Sequence, residues 1–303
     1  MSNEGMGRLS VVGTPIGNLS DFSPRGIEAL EKADYIAAED TRVTLRLPTH
    51  FGIRKPLLSY YKPHEAEKSA KILELLCEGK NVALVSDAGM PCISDPGVLL
   101  VKRCGEMGIA VEVIPGCNAA VAAVAVSGID TARFAFEGFL PVNKRDRSER
   151  LAEIAELPHT LVFYEAPHKI RQTLSDMEAA LGGERSAALC RELTKLHEEV
   201  IRGSLSELAR YYDELEPRGE YVVVVEGRRP FRKSPRQSRQ RSLRAAMPRG
   251  AISSRMPAKR RQKQREFPSR KYTGYLCPKR TDSRKMSLIV KKRSDKSSIT
   301  SKL

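Results

Sequence analysis

Several familiar signatures are missing from this 303-residue chain. Its six cysteines, Cys77, Cys92, Cys104, Cys117, Cys190 and Cys277, form no C-x-x-C pair, so neither a disulfide frame nor a zinc ribbon is expected. Scattered single cysteines point to buried thiols in a reducing compartment. The N-terminus has no signal-peptide apolar core and no apolar run reaches transmembrane length. A soluble, cytoplasmic protein with no membrane partner is expected. No G-x-G-x-x-G follows the first predicted strand and no Walker sequence occurs, which argues against the usual nucleotide-phosphate sites. No His, Cys and Asp cluster has metal-ligand spacing, so no metal is expected. No Ser or Cys has the setting of an activated nucleophile, and no internal repeat is present.

What remains is unevenly charged. The formal net charge is +15, yet residues 228–303 hold 26 of the 52 Lys and Arg and only Glu266, Asp282 and Asp295 of the 37 acidic residues. The tail therefore carries +23 and residues 1–227 carry −8. The tail is rich in Arg, Lys, Ser and Pro and has no apolar period, so it is expected to be disordered. Residues 1–227 are long enough for one or two packed domains.

Those residues alternate strand and helix patterns. Leu9–Gly13, Asp34–Ala38, Val82–Ser86 and Ala110–Ile114 read as strands. Helices are predicted from Ser23-Pro24 to Lys32, His64 to Cys77, Pro96 to Met107 and Asn118 to Val126, with cap residues at several ends. Such serial βα units give a mostly parallel sheet with helices on its faces. Further strands are predicted at Thr160–Tyr164, Ala187–Arg191 and Tyr221–Val225. Further helices are predicted at Ser148–Leu157, His168–Leu181 and Ser204–Leu215. Arg145-Asp146-Arg147 is expected to be a mobile basic loop. The simplest organisation is an α/β domain over 1–127, a second over 128–227 and the basic tail over 228–303.

Chemistry is expected where loops follow strands, because a parallel sheet gathers those loops at one edge. Thr14–Asn18, Glu39–Arg42, Asp87–Gly97 and Pro115–Asn118 are such loops. The most informative is Asp87 to Gly97, where a buried strand gives way to Asp87, Gly89, Pro91 and Asp95 ahead of a helix. On pattern alone a capping Asp in an ordinary turn explains it equally well. Gly17, Gly89 and Gly116 suit main-chain approach to a ligand, although each singly is explained by a tight turn. Tyr164–His168 and the charged run Arg191–Glu199 lie at two more strand ends.

Taken in order, Thr14-Pro-Ile-Gly-Asn18, Glu39-Asp-Thr-Arg42, Ser86-Asp-Ala-Gly89, Ser94-Asp-Pro-Gly97, Phe163-Tyr-Glu-Ala-Pro-His168 and Arg191-Glu-Leu-Thr-Lys195 closely resemble the bacterial ribosomal small-subunit RNA 2′-O-methyltransferase I family. That family is a branch of the tetrapyrrole methylase superfamily, and the resemblance spans about residues 8–227. It implies two α/β domains, the first with a mostly parallel sheet and the second with a mixed one, and S-adenosylmethionine in the cleft between them. It implies a homodimer that methylates the ribose 2′-hydroxyl of a decoding-centre cytidine in 16S rRNA on the small subunit. By position, Ser86, Asp87, Ala88 and Gly89 would hold the donor. Pro115, Gly116, Asn118 and Ala119 would face them, and Tyr164, Glu165 and Ala166 would close the site. Glu39, Asp40 and Arg42 would lie toward the RNA. Met90, Cys92 and Cys117-Asn118 depart from the family's usual residues, and Pro48 is expected to shorten or kink the helix around Leu45–Leu47.

Methyl transfer from a sulfonium needs in-line positioning and removal of the hydroxyl proton. Glu192, Lys195 and Glu165 are the proton acceptors expected from sequence, while Arg42 and Arg191 could hold phosphate. Two alternatives stay open: a tetrapyrrole C-methyltransferase, and a non-catalytic basic-tailed RNA- or ribosome-binding protein. The tail has two readings as well. It is an RNA-binding arm or the product of a frameshift near residue 228. Back-translating Glu266 to Pro278 and reading two nucleotides later yields a helix-like string, Ile-Pro-Ile-Glu-Lys-Ile-Tyr-Arg-Leu-Leu-Met-Ser, which favours the frameshift. Deleting residues 228–303 is then expected to weaken non-specific RNA binding and flatten its salt dependence while specific methylation is kept, because such a tail attracts any phosphate backbone. Filter binding over a salt series, with a methylation assay beside it, checks both.

Overall fold

The computed structural model describes residues 5–212 and 215–228. The expected disorder of the basic tail concerns residues that, past Arg228, lie outside those described.

The first half builds β1 (Arg8–Val12), α1 (Pro24–Lys32), β2 (Tyr35–Ala38), α2 (Thr41–Thr44), α3 (Arg46–His50), β3 (Leu57–Ser59), α4 (Glu65–Cys77), β4 (Val82–Val85), α5 (Val98–Glu106) and β5 (Ala110–Ile114). The strands form one parallel sheet in the order β3-β2-β4-β1-β5. Every residue of β4 is buried, as its unbroken apolar sequence requires of a strand covered on both faces. One face packs Leu9, Leu84 and Val82 against Ile72, Leu76 and Leu100 of α4 and α5. The other packs Val12, Ile36, Ala83 and Val85 against Phe22 and Leu30. Ser23 caps α1 through its side chain, which accepts from the Gly26 N–H, and Pro24 occupies the first turn, where its missing N–H costs nothing. Around Pro48 the backbone divides into the two short helices α2 and α3 with a break at Leu45, in line with the expected interruption.

The second half adds α6 (Ala119–Ser127), β6 (Phe134–Phe139), α7 (Lys144–Ile154), β7 (Thr160–Glu165), α8 (Ile170–Leu181), β8 (Ser186–Arg191), β9 (Glu199–Ser204), α9 (Leu205–Tyr211) and β10 (Tyr221–Val225). Its sheet runs β6-β7-β10-β8-β9, with β6 and β7 parallel and the other pairs antiparallel. Helices α7, α8 and α9 cover one face around Phe163, Leu174, Leu189 and Val223. On the opposite face, Ala120, Ala123 and Val124 of α6 pack against Val162, Ala188 and Val224. This arrangement of a parallel and a mixed sheet is the α/β fold expected from sequence.

One segment differs from expectation. Arg145–Arg147 is not a mobile loop but the first turn of α7, which begins four residues earlier than predicted. The Asn143 side chain accepts from the Arg145 N–H and starts the helix there. Arg145 then pairs with Glu149 one turn on, and Arg147 lies 2.7 Å from the Asp176 carboxylate of α8 as an ion pair without hydrogen-bond geometry. Among the described residues no helix is long and apolar enough to cross a membrane.

Central and edge strands should respond differently to truncation. Leu84 lies in β4 between β2 and β1 and is 1% exposed, whereas Val113 of the edge strand β5 is 59% exposed. Leu84→Ala is expected to cost about 2–5 kcal/mol in urea unfolding. Val113→Ala should stay within about 0.5 kcal/mol of wild type.

Candidate active site

The loops after β1, β4 and β5 are tied together by main chain. Thr14 and Gly89 form an isolated antiparallel bridge, with Thr14 N–H donating to Gly89 O at 2.8 Å and Gly89 N–H to Thr14 O at 3.2 Å. The Thr14 hydroxyl is placed to donate to the Ser86 and Gly89 carbonyls, and the Ser86 hydroxyl donates to Gly89 O at 3.2 Å. Gly13 and Gly116 pass so close that a Cβ on Gly116 would stand 2.5 Å from Gly13 O. No residue with a side chain fits there without moving backbone. Gly89 has φ +87°, which a branched side chain adopts only under strain.

These loops line one wall of a cavity of about 530 Å³. Ile16, Asp87, Ala88, Gly89, Met90, Ile93, Ser94 and Asp95 form that wall, with Asn118 and Ala119 at the start of α6. The Asn118 side chain accepts from the Val121 N–H at 3.0 Å and caps the helix. Across the cavity stand Phe139, Tyr164, Glu165, Ala166, Pro167 and His168, and then Glu192, Leu193, Lys195 and Glu220. The Tyr164 hydroxyl accepts from the Ala120 N–H at 3.2 Å, joining β7 to α6, and its ring stacks edge-on with Phe136 and Phe139. Glu165 is buried, and its two oxygens accept from the Ala166 N–H at 2.8 Å and the Thr173 hydroxyl at 2.6 Å.

The β8–β9 connector is a charged knot. Lys195 Nζ donates to Glu192 at 2.8 Å and to Glu220 at 2.9 Å, and the Glu220 N–H donates to the same Glu192 oxygen at 3.0 Å. Burial works to lower the Lys195 pKa, but the two carboxylate bonds outweigh it and hold the ammonium above its ordinary value. Burial works to raise Glu192, yet the Lys195 bond and the backbone donor together hold its carboxyl below the usual range. Glu192 and Thr194 both have positive φ, so this turn is strained. The connector also leans on the first half of the chain: a Cβ on Gly17 would meet Lys195 Cγ at 2.4 Å.

At the outer edge of the wall, Arg42 clasps Asp40 through two bonds of 3.0 and 2.7 Å. The side chain and backbone of Arg42 hold the Asp40 carboxyl down to about 2. Asp87 accepts from the Asp40 N–H at 3.2 Å and from the Thr44 hydroxyl at 3.3 Å. Burial raises the Glu39 pKa, and the nearby Asp95 and Asp87 raise it further. Cys190 also lines the cavity, with its thiol pushed up to about 11 chiefly by burial, which makes it inert as a nucleophile.

Small residues, main-chain atoms, an apolar patch and carboxylates on one wall suit a ligand with a flat apolar part and a positive charge. The sequence of this region also has relatives. A profile of the tetrapyrrole (corrin/porphyrin) methylases matches residues 8–209. The chain belongs to the tetrapyrrole methylases, in the ribosomal RNA small subunit methyltransferase I family. It is 48% identical over 225 residues to a Synechocystis protein named Ribosomal RNA small subunit methyltransferase I, covering 74% of this chain and 81% of that one. It is 45% identical over 223 residues to the Thermotoga maritima protein of the same name, covering 74% of this chain and all of the relative. Solved tetrapyrrole methylases share the fold. The methyltransferase CobJ matches with a TM-score of 0.58 at 20% identity over 74% of this chain and 97% of its own. Uroporphyrin III C-methyltransferase of Thermus thermophilus matches with a TM-score of 0.53 at 18% identity, over 73% and 97%.

Of the residues expected from sequence, Asp87, Ala88, Gly89, Asn118, Ala119, Tyr164, Glu165, Ala166, Glu192 and Lys195 meet around one cavity. Ser86, Pro115 and Gly116 do not line it: Ser86 is buried and Pro115 and Gly116 are exposed, and Ser86 and Gly116 fix the backbone. Glu39, Asp40 and Arg42 lie beside it, and Arg191 is bound to Glu199 at 3.0 Å. Asp95, Phe139, His168 and Glu220 were not singled out as site residues from sequence. The apolar lining residues carry no signal that separates them from core. Asp95 did carry one, a second carboxylate in the loop ahead of α5.

Replacing Gly89 by Val should strain φ by about 1–3 kcal/mol and crowd Ile16, whose Cγ2 lies 3.4 Å from the new Cβ. A lowered Tm and at least a tenfold loss in S-adenosylmethionine affinity by calorimetry are expected. A folded variant with unchanged affinity would remove this loop from the donor site.

Proposed function

We propose that this chain is an S-adenosylmethionine-dependent methyltransferase of ribosomal RNA, and that its acceptor is the ribose 2′-hydroxyl of a decoding-centre cytidine in 16S rRNA on the small subunit. The observation that carries the reading is the 48% identity over 225 residues to a protein named for small-subunit rRNA methylation. We further propose that it works as a cytoplasmic homodimer, as the family resemblance implies.

In this reading the β4 loop and the start of α6 hold the donor. Asp87, Ala88, Gly89, Asn118 and Ala119 all line one wall of the cavity. Bound there, the donor supplies an electrophilic methyl on a sulfonium. Ile16, Met90 and Phe139 exclude water from its apolar part, and the carboxylate of Asp87 favours its positive charge. Tyr164, Glu165 and Ala166 close the cavity from the second sheet.

Lys195 and Glu192 serve the acceptor side. Lys195 is held charged between two carboxylates, which suits a phosphate contact better than proton removal. Arg42 is exposed, and a phosphate can replace Asp40 as its partner. Arg191 keeps its bond to Glu199 and braces β8 against β9. A tetrapyrrole acceptor is the weaker reading, since the solved uroporphyrin III C-methyltransferase shares only the fold, at 18% identity.

The test uses purified chain, tritiated S-adenosylmethionine and small subunits from cells lacking the modification. Label is expected at one cytidine, resistant to alkaline cleavage as 2′-O-methylation requires. Label on a base, or none, would overturn the reading. Glu192→Ala and Lys195→Ala are each expected to lower transfer to subunits by about tenfold or more, in the range of a lost charged contact, with donor affinity near wild type.

A further inference from the structure

We propose that Asp95, in the loop between β4 and α5, is the catalytic proton acceptor for the hydroxyl that is methylated. The proposal rests on the methyl-transfer reading above and adds a residue to it.

The geometry selects Asp95 among the ionisable groups of the cavity. Glu165 has both oxygens occupied, by Ala166 and by Thr173. Glu192 is tied to Lys195, and Lys195 lies between Glu192 and Glu220. Asp87 is exposed, and one of its oxygens accepts from both the Asp40 N–H and the Thr44 hydroxyl. His168 and Glu220 are exposed at the rim, where water competes for any proton. Asp95 lines the cavity, is half-buried, and faces across to Tyr164, whose own pKa it raises.

The surroundings of Asp95 suit a base. Burial pushes its carboxyl above the usual range, and Asp87 adds to the rise; the Ser86 hydroxyl and Lys62 oppose it. The other titratable groups that sense it are Glu39 from the end of β2, Cys92 from its own loop and Tyr164 from β7. A carboxylate of raised pKa is a stronger base, and that favours proton transfer.

The step balances. The hydroxyl oxygen forms a bond to the methyl carbon as the carbon–sulfur bond breaks, and that electron pair stays on sulfur as a thioether. The hydroxyl proton passes to Asp95. One positive and one negative charge disappear together, and Asp95 returns its proton to solvent when the products leave.

The test uses the full chain and the variants Asp95→Asn and Asp95→Glu. Asp95→Asn is expected to lower kcat for transfer to small subunits by about 100-fold or more. Its S-adenosylmethionine affinity by calorimetry and its Tm should change little. In wild type, kcat should fall as pH drops through the raised Asp95 pKa, and Asp95→Asn should lose that acid limb. Asp95→Glu should restore part of the rate. Independently of activity, carbon-13 carboxyl NMR should find an Asp95 resonance titrating above the ordinary aspartate value of about 3.9. Wild-type kcat in Asp95→Asn, or a loss confined to donor affinity, overturns the proposal and leaves the RNA reading standing. An Asp95 resonance that titrates below ordinary aspartate overturns it without any variant. Wild-type protein inactive on small subunits overturns the RNA reading and this proposal together.

Discussion

The cavity depends on a crossing of backbones at the C-terminal edge of the first sheet. β1 lies between β4 and β5, so the chain leaving β1 must pass the loops of both neighbours. It does so with two glycines and a threonine. Gly13 N–H donates to Ile114 O at 3.0 Å and extends the ladder to β5, while Gly116 sits flush against it. Thr14 then pairs with Gly89 and draws the β4 loop inward. Three loops become one wall through main-chain bonds that substitutions of neighbouring side chains leave intact. The loop continues to Gly17, which passes beneath Lys195 with no room for a side chain. The same few residues therefore set both this wall and its distance from the charged connector.

Charge is sorted across this cavity in two ways. On the first sheet, Glu39, Asp87 and Asp95 stand close with few cations, and burial together with mutual repulsion raises Glu39 and Asp95. On the second, carboxylates and ammonium alternate, and Lys195 and Glu192 lock each other into their charged forms. The first sheet thus gathers carboxylates raised by burial and mutual repulsion, and the second holds groups kept in their charged forms by pairing. Three thiols, Cys92, Cys104 and Cys190, are pushed up to about 11 mainly by burial and take no part in either.

The sequence was legible where one local rule dominates. Unbroken apolar runs marked β4 and β10, and caps such as Ser23 and Asn118 marked helix starts within a residue or two. The short edge strand β3, the bulged β6 and the polar β9 escaped notice. Three residues carry no period, a register shift between Phe136 and Gly138 breaks one, and Arg202 and Gly203 mask another. Arg145–Arg147 reads as a solvated run because its partner on α8 is remote in sequence. In the site, polar loop motifs were visible because they are local, whereas Phe139 and Glu220 join it only through pairing between strands. Asp95 was visible as a carboxylate, but its distinction comes from burial beside Asp87, which no spacing rule expresses.

Helix α6 has mechanical consequences. It follows directly from β5, yet its buried face belongs to the second sheet. Tyr164 of β7 holds its first turn, and Arg202 of β9 donates to the Val126 and Ser127 carbonyls at its last. Fastened at both ends, the helix travels with the second sheet as one rigid lever. The chain then passes from the first sheet to the second ahead of Asn118, in the Pro115–Cys117 turn, and not at the far end of the helix. Asn118 and Ala119 thus line the cavity straight after the first sheet's last strand while their helix is anchored to the second sheet.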